Sequence, residues 1–190
     1  MRCSSAYGNY PYAWYWYCAR ILGYKYCDLV RIPIYMQYML VIRATFNEYP
    51  LDEADYPCIE NEGDSKIEKT NISASNKEIN IIIEDTYVIN DSQIPKDKSE
   101  CYTIRIQRDQ ADRKTRHYSE KLIEAVMEAV RDLPDGVTVN LFSTTNALHS
   151  KSIAKRVFSL WERGNVVHLY VFQQRKDCGR EFEPDGRKVF

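Results

Sequence analysis

Residues 116–133 carry the pattern that most restricts the fold. Apolar side chains recur at Leu122, Val126, Ala129, Val130 and Leu133, with Ile123 and Met127 beside them, while Glu120, Lys121, Glu124, Glu128 and Arg131 take the opposite side. Spacings of three and four residues put the first set on one stripe of an α-helix, and that stripe has to be buried. Thr115 or Ser119 supplies a cap at its start. Leu133-Pro134-Asp135-Gly136 stops it, because proline cannot continue a helix and glycine accepts a left-handed turn. A strand over residues 137–142 follows, broken by Thr144-Thr145-Asn146. Then comes a second helix over 150–163 with Ile153, Ala154, Val157, Phe158, Leu160 and Trp161 on its inner side. Gly164-Asn165 ends it, and 166–172 is a further apolar strand. A strand, helix, strand succession of this length implies parallel pairing through a crossover. The predicted class is therefore α/β, a mixed sheet with helices packed on it.

Upstream, Ile79, Ile81, Ile82, Ile83, Tyr87, Val88 and Ile89 mark a β-rich run over 78–90, and alternation over 101–107 marks another. A polar turn around Pro95 predicts that the two pair antiparallel. Residues 59–76 are polar and rich in turn formers, which reads as a linker or mobile loop. Residues 1–58 form an aromatic-rich N-terminal segment holding 11 of the 15 tyrosines, with Trp14 and Trp16 inside an almost continuous aromatic run. Aromatic residues favour strands, and residues 35–46 are predicted as one, with Val41, Ile42 and Thr45 adding β-branched character. Burying an aromatic side chain is worth about 2 kcal/mol, so this zone is expected to pack within the chain or against another copy. The division is thus 1–58, a boundary at 59–76, and an α/β domain over 77–190.

Charge and composition exclude several classes. The formal charge is -1, yet residues 1–100 hold 10 basic and 15 acidic groups while 101–190 hold 16 and 12. The longest stretch without charge, between Arg2 and Arg20, is too polar for a bilayer span, and the apolar stretch between Arg31 and Arg43 is too short. No secretion signal is apparent, so an intracellular chain, cytoplasmic or nuclear, with no membrane contact is expected. The six cysteines include no Cys-x-x-Cys pair and the histidines are not grouped with them, so no structural zinc is expected.

Residues 78–172, and above all 120–148 with their helix, Leu-Pro-x-Gly turn and strand ending in a Thr/Asn cluster, resemble the ribonuclease H-like fold. That resemblance implies carboxylates holding two Mg²⁺ ions that activate water. Carried over, it offers Glu84 or Asp85 on the first strand and Glu120 or Glu124 on the helix. Thr144, flanked by Ser143 and Thr145, stands where an aspartate is expected, and the tail 173–190 does not read as the helix bearing the last acid. At most two of four ligands survive, so no catalytic residue, metal or cofactor is assigned. Mg²⁺ enters only if the chain is an active nuclease built on Asp85, Glu84, Glu120 and Glu124. The plainer reading of these acids is a strand end and a solvated helix face.

Basic residues gather in two sets, Arg105, Arg108, Arg113, Lys114 and Arg116, and Lys151, Lys155 and Arg156. With aromatic neighbours they form a candidate nucleic-acid surface, although a solvated charged loop explains the first set equally well. His149, near a strand end, reads as a surface or helix-capping residue, and His168 as a core residue in an apolar strand. The sequence therefore predicts a non-catalytic ribonuclease H-like module that binds nucleic acid or supports assembly, of the kind viral and mobile-element proteins use. The alternatives are an active Mg²⁺-dependent ribonuclease acting on RNA–DNA hybrids, and an adaptor that uses the aromatic segment to bind a protein partner or a second copy.

Overall fold

Ile79, Ile81, Ile82 and Ile83 leave almost no polar surface on the strand they occupy, so this strand has to be covered on both faces. It is the third of six. The computed structural model describes residues 33–43, 53–58, 62–74, 77–109, 116–159, 164–175 and 178–190. Within them lie α1 (Ile34–Arg43), β1 (Lys66–Thr70), β2 (Glu78–Glu84), β3 (Tyr102–Gln107), α2 (Glu120–Arg131), β4 (Val137–Ser143), α3 (Ala147–Ile153), β5 (Val166–Phe172) and β6 (Arg187–Lys188). The sheet order is β1-β3-β2-β4-β5-β6. The four central strands are mutually parallel and the two outer ones antiparallel to their neighbours.

The predicted helices and strands of the second half stand, with shifted ends. Ser119 is the cap of α2, its hydroxyl accepting from Leu122 N–H at 3.0 Å. Gly136 takes φ +78 in the turn beyond the helix. Asn165 closes that end, donating through Nδ2 to the carbonyls of Arg131 and Leu133, while its own carbonyl accepts from Gly136 and Val137. The second helix begins earlier than predicted, at Ala147, and continues through a π-helical turn over Ala154–Phe158.

Four expectations are corrected. First, β2 and β3 pair parallel, Ile79 opposite Tyr102, and not as an antiparallel hairpin. Residues 85–101 are long enough to carry the chain back across the sheet, with a 3₁₀ turn at Asp91–Gln93 in place of a crossover helix. Second, residues 34–43 form a helix and not a strand. Pro33 sits just ahead of its first turn, where its missing N–H costs nothing, and Gln173 Oε1 accepts from Ile34 N–H at 3.0 Å. Tyr38 is fully buried, its ring centroid 6.2 Å from that of Phe158. Packing of this kind overrides a local strand preference. Third, the polar stretch predicted as a linker contributes an edge strand, β1. Fourth, His168 is exposed, not buried. A register shift at Val137/Thr138 turns both Val167 and His168 to solvent. The aromatic run at 10–17 lies outside the described residues.

The two faces are covered differently. On one, Ile81, Ile83, Ile106, Val139, Leu141, Leu169 and Val171 meet Leu122, Ile123 and Val126 of α2, Ile153 of α3, Phe158 and Tyr38. On the other, Ile82, Phe142 and Phe172 meet Ile89, Ile94 and Phe182 from connecting segments. Phe142 stacks on Phe172 at 4.4 Å and meets Phe182 edge-on at 5.2 Å. This second face also carries a polar network. Asn140 Nδ2 donates to Glu78 Oε1 and Asn80 Oδ1, Asn80 Nδ2 donates to the Lys98 carbonyl and Thr103, and Lys98 Nζ donates to Glu78 Oε1 at 2.6 Å.

Two predictions follow from this packing. The Tyr38 hydroxyl is buried without a hydrogen-bond partner, and burial pushes its pKa well above the ordinary phenol value. Tyr38→Phe removes an unsatisfied polar atom and keeps the ring. It should therefore leave stability unchanged or raise it by about 1 kcal/mol in urea unfolding, while Tyr38→Ala should lower it by about 3–5 kcal/mol. The hydrogen bond from Lys98, helped by Asn140, holds the Glu78 carboxyl below its ordinary value of 4.5. A depressed folded value means that the ionised form stabilises the fold. The contribution is present above pH 4.5 and is lost as pH falls through the folded value. Glu78→Gln should flatten the acid limb of a thermal stability–pH profile.

Candidate functional site

The order of strands reverses between β2 and β4. From β2 the chain crosses to β3 on one side, and after α2 it returns to β4 on the other. In an open α/β sheet a crevice opens at such a point, outside the carboxyl ends of the strands. The residues placed there are Asp85 and Thr86 after β2, Arg108 after β3, and Thr144-Thr145-Asn146 after β4.

Asp85 is the centre of the cluster and is fully buried. Its Oδ2 accepts from the Asn146 backbone N–H at 2.9 Å and meets His149 Nδ1 at 2.6 Å. The backbone N–H of Ser119 donates to His149 Nε2 at 2.7 Å, so that nitrogen carries no proton and Nδ1–H donates to the carboxylate. Arg108 Nε lies 3.2 Å from Asp85 Oδ1, an ion pair by distance whose angle falls outside hydrogen-bond geometry. Arg108 is 2 % exposed, and its Nη2 is buried with no hydrogen-bond partner, as is Nδ1 of nearby His117. Asn146 caps α3, its Oδ1 accepting from His149 N–H at 2.9 Å and its Nδ2 donating to the His117 carbonyl at 2.9 Å. The result is one polar knot joining the carboxyl ends of β2, β3 and β4 to the starts of α2 and α3.

The knot is built to hold position, not to react. Both nitrogens of His149 are engaged. The hydroxyls of Ser143, Thr145 and Ser150 bond to one another at 2.7 and 2.8 Å, and Ser150 Oγ donates to the Asn146 carbonyl, so none is held by a base. His149, read from sequence as a surface or capping residue, is instead wholly buried, because Asp85 and Ser119 satisfy its ring from both sides. Asn146 carried a readable signal: a cap residue between a strand end and a helix.

The rim of the crevice is exposed. Thr144 Oγ1 donates to the Tyr87 carbonyl at 2.7 Å, and Thr86 donates from its N–H and its hydroxyl to the Thr144 carbonyl, which fixes the chain as it leaves β2. Beyond that tie Tyr87 and Val88 stand 40 % and 41 % exposed. The Arg180 guanidinium lies 4.2 Å from the centre of the Tyr87 ring. Arg180 and Gly179 both hold left-handed backbone, φ +63 and +66, and Gln93 Nε2 donates to the Gly179 carbonyl at 2.9 Å.

The acids taken from the ribonuclease resemblance do not make one cluster. Glu84 is buried against Arg105, which also pairs with Asp91, and accepts from Ile89 N–H. Asp85 faces Arg108. Glu120 accepts from the Tyr118 hydroxyl and pairs with Arg156, and the Tyr118 bond first, then Arg156, keeps its carboxyl below the usual range. Glu124 is exposed on α2. No group of three or more His, Cys, Asp or Glu able to hold a metal occurs among the described residues, and a donor set divided among three arginines does not fit a pair of Mg²⁺ ions. Of the basic residues, Arg105 and Arg156 are thus committed to carboxylates, whereas Arg108 lies beside Asp85 through Nε and keeps Nη2 without a hydrogen-bond partner. Arg116 and Lys155 are exposed and Lys151 is half-buried. Arg113 and Lys114 lie outside the described residues.

Removing one partner of a buried ion pair strands the other charge, at a cost of about 3–5 kcal/mol. Asp85→Asn should destabilise the protein by that amount in chemical denaturation. Asp85→Leu combined with Arg108→Met should lose less than the two single changes added together, the shortfall being the coupling read from the double-mutant cycle.

The sequence matches, over residues 2–187, the family described as the SMODS- and Ubiquitin system-associated 2TM effector domain. No curated protein sequence matches the chain. In structure the chain is similar to the Acinetobacter baumannii Cap4 SAVED/CARF-domain containing receptor with the cyclic trinucleotide 3'3'3'-cAAA, at TM-score 0.56 and 7 % identity over 83 % of this chain and 36 % of the receptor. It is likewise similar to that receptor with 2'3'3'-cAAA, at TM-score 0.53 and 8 % identity over 84 % and 37 %. At such identity the likeness is one of fold, and the chain spans little more than a third of the receptor's length. These findings overturn the ribonuclease H-like resemblance, and with it the viral or mobile-element nucleic-acid module. Neither alternative, the Mg²⁺-dependent ribonuclease or the adaptor, gains support from them. The 2TM description also runs against the expectation of no membrane, although no helix among the described residues is long and apolar enough to cross one. By its match over nearly all of its length, the chain belongs to the SMODS- and Ubiquitin system-associated 2TM effector domain family.

Proposed function

We propose that this chain is the sensing unit of a membrane-associated effector, and that it takes a cyclic oligonucleotide at the crevice between the carboxyl ends of β2 and β4. The observation that carries the reading is Arg108. A guanidinium buried at the strand-order reversal, with Nη2 lacking a partner, suits a phosphate oxygen. The exposed Tyr87 ring, backed by Arg180, adds a stacking surface for a base on the same rim. The Cap4 receptor, whose structures hold cyclic trinucleotides, shares the fold, which supports the ligand class. The family description supports action at a membrane. The Tyr- and Trp-rich residues 10–17 are of the kind that sits at a membrane–water boundary.

Calorimetric titration of the full chain with cyclic di-, tri- and tetranucleotides tests this. At least one should bind saturably and raise the melting temperature. Tyr87→Ala, at an exposed position, should weaken that binding by about tenfold, in the range of one lost stacking contact, without lowering the melting temperature of the free protein. Absence of binding by every cyclic nucleotide at millimolar concentration rejects the proposal.

A further inference from the structure

Every residue of β1 is exposed, Ile67 at 40 %, and β1 ends the sheet, paired with β3 on one side. No described strand pairs with its outer edge. An open edge presents unpaired N–H and C=O groups to any other strand, and natural proteins guard such edges with charge. Here the guards are Lys66, Glu68 and Lys69. They oppose most partners, but not a second copy of β1.

Side chains alternate along a strand, so Lys66, Glu68 and Thr70 share one face and Ile67 and Lys69 the other. Antiparallel pairing of two β1 strands centred on Ile67 places Lys66 of each copy opposite Glu68 of the other, twice by symmetry. Ile67 meets Ile67 on the opposite face, and Lys69 meets Ser65. Neighbouring registers fail. Centred on Glu68, two carboxylates face each other; centred between Ile67 and Glu68, Lys66 faces Lys69. Parallel pairing in register sets every charge against its like. Within one strand Lys66 and Glu68 lie 4.0 Å apart, with side chains 73 % and 54 % exposed, so both remain open to a partner.

We propose that two copies of this chain associate through β1, antiparallel and centred on Ile67, joining their sheets across a two-fold axis. The interface is isologous and closes on itself, so it gives a dimer and not a filament. It does not rest on the ligand reading and can fail or hold independently of it.

Sedimentation velocity of the full chain over a concentration series is the test. The wild type should be a monomer–dimer system. Glu68→Lys and Lys66→Glu should each weaken dimerisation by about tenfold or more, since each turns both cross-strand pairs into like charges. An equimolar mixture of these two variants should regain association as a heterodimer, and the double variant K66E/E68K should dimerise like the wild type. All are exposed changes, and unchanged circular dichroism will show that the fold is kept. A wild type that stays monomeric, single variants that dimerise normally, or a mixture that stays dissociated overturns the proposal.

Discussion

A carboxylate and a guanidinium, both shut away from water, set the terms for this structure. Asp85 and Arg108 sit at the ends of adjacent parallel strands, where burying either charge alone would be prohibitive. Their separation is therefore narrowly constrained, and with it the spacing of β2 and β3. His149 and the Asn146 amide extend the constraint to β4 and to the first turns of α2 and α3. The rim of the crevice inherits its shape from this knot. For the ligand class proposed above, such a surface would already be organised, which would reduce the ordering that binding has to overcome.

The sheet is unequally covered. One face lies under three helices and the other under connecting segments pinned by Phe142, Phe172 and Phe182. Polar residues are tolerated inside the second cover because each is matched: Asn80 with Asn140 across adjacent strands, and Glu78 with Lys98 from the segment joining β2 to β3. Such pairs work only in one register, since a slip of one residue turns these side chains toward the helices. The isoleucines of β2 supply the driving force for burial, and the amide pair fixes the alignment.

Much of this was legible from the sequence, for identifiable reasons. The helix beginning at Glu120 and the strands at Val137 and Val166 announced themselves because one buried face imposes a strict period. The α1 helix did not, because its tyrosines and β-branched residues favour a strand locally and only its packing against α3 and β5 decides otherwise. The direction of β3 relative to β2 was hidden for a related reason. A long irregular connection permits both antiparallel return and parallel crossover, and nothing in residues 85–101 records which face it covers. At the site, the sequence displays the acids but not their partners. By local sequence Asp85 is a strand end that would meet solvent, whereas Arg108 and His149, far along the chain, surround it. The likeness to a nuclease fold failed on the same point, being drawn from the order of elements without their pairing.

The loop-covered face carries a consequence for how the molecule opens. Helices close their hydrogen bonds internally, whereas the segments over Phe142 depend on bonds to their surroundings, such as Phe182 N–H to the Gln93 carbonyl and Gln93 to Gly179. Units held in this way detach at lower free energy than a sheet or a packed helix. The first excursion from the native state is therefore a peeling of this cover, with the sheet and its helices intact. Because Tyr87 and Arg180 ride on that cover, anything that clamps them together slows amide exchange along the whole aromatic face, well beyond the residues it touches.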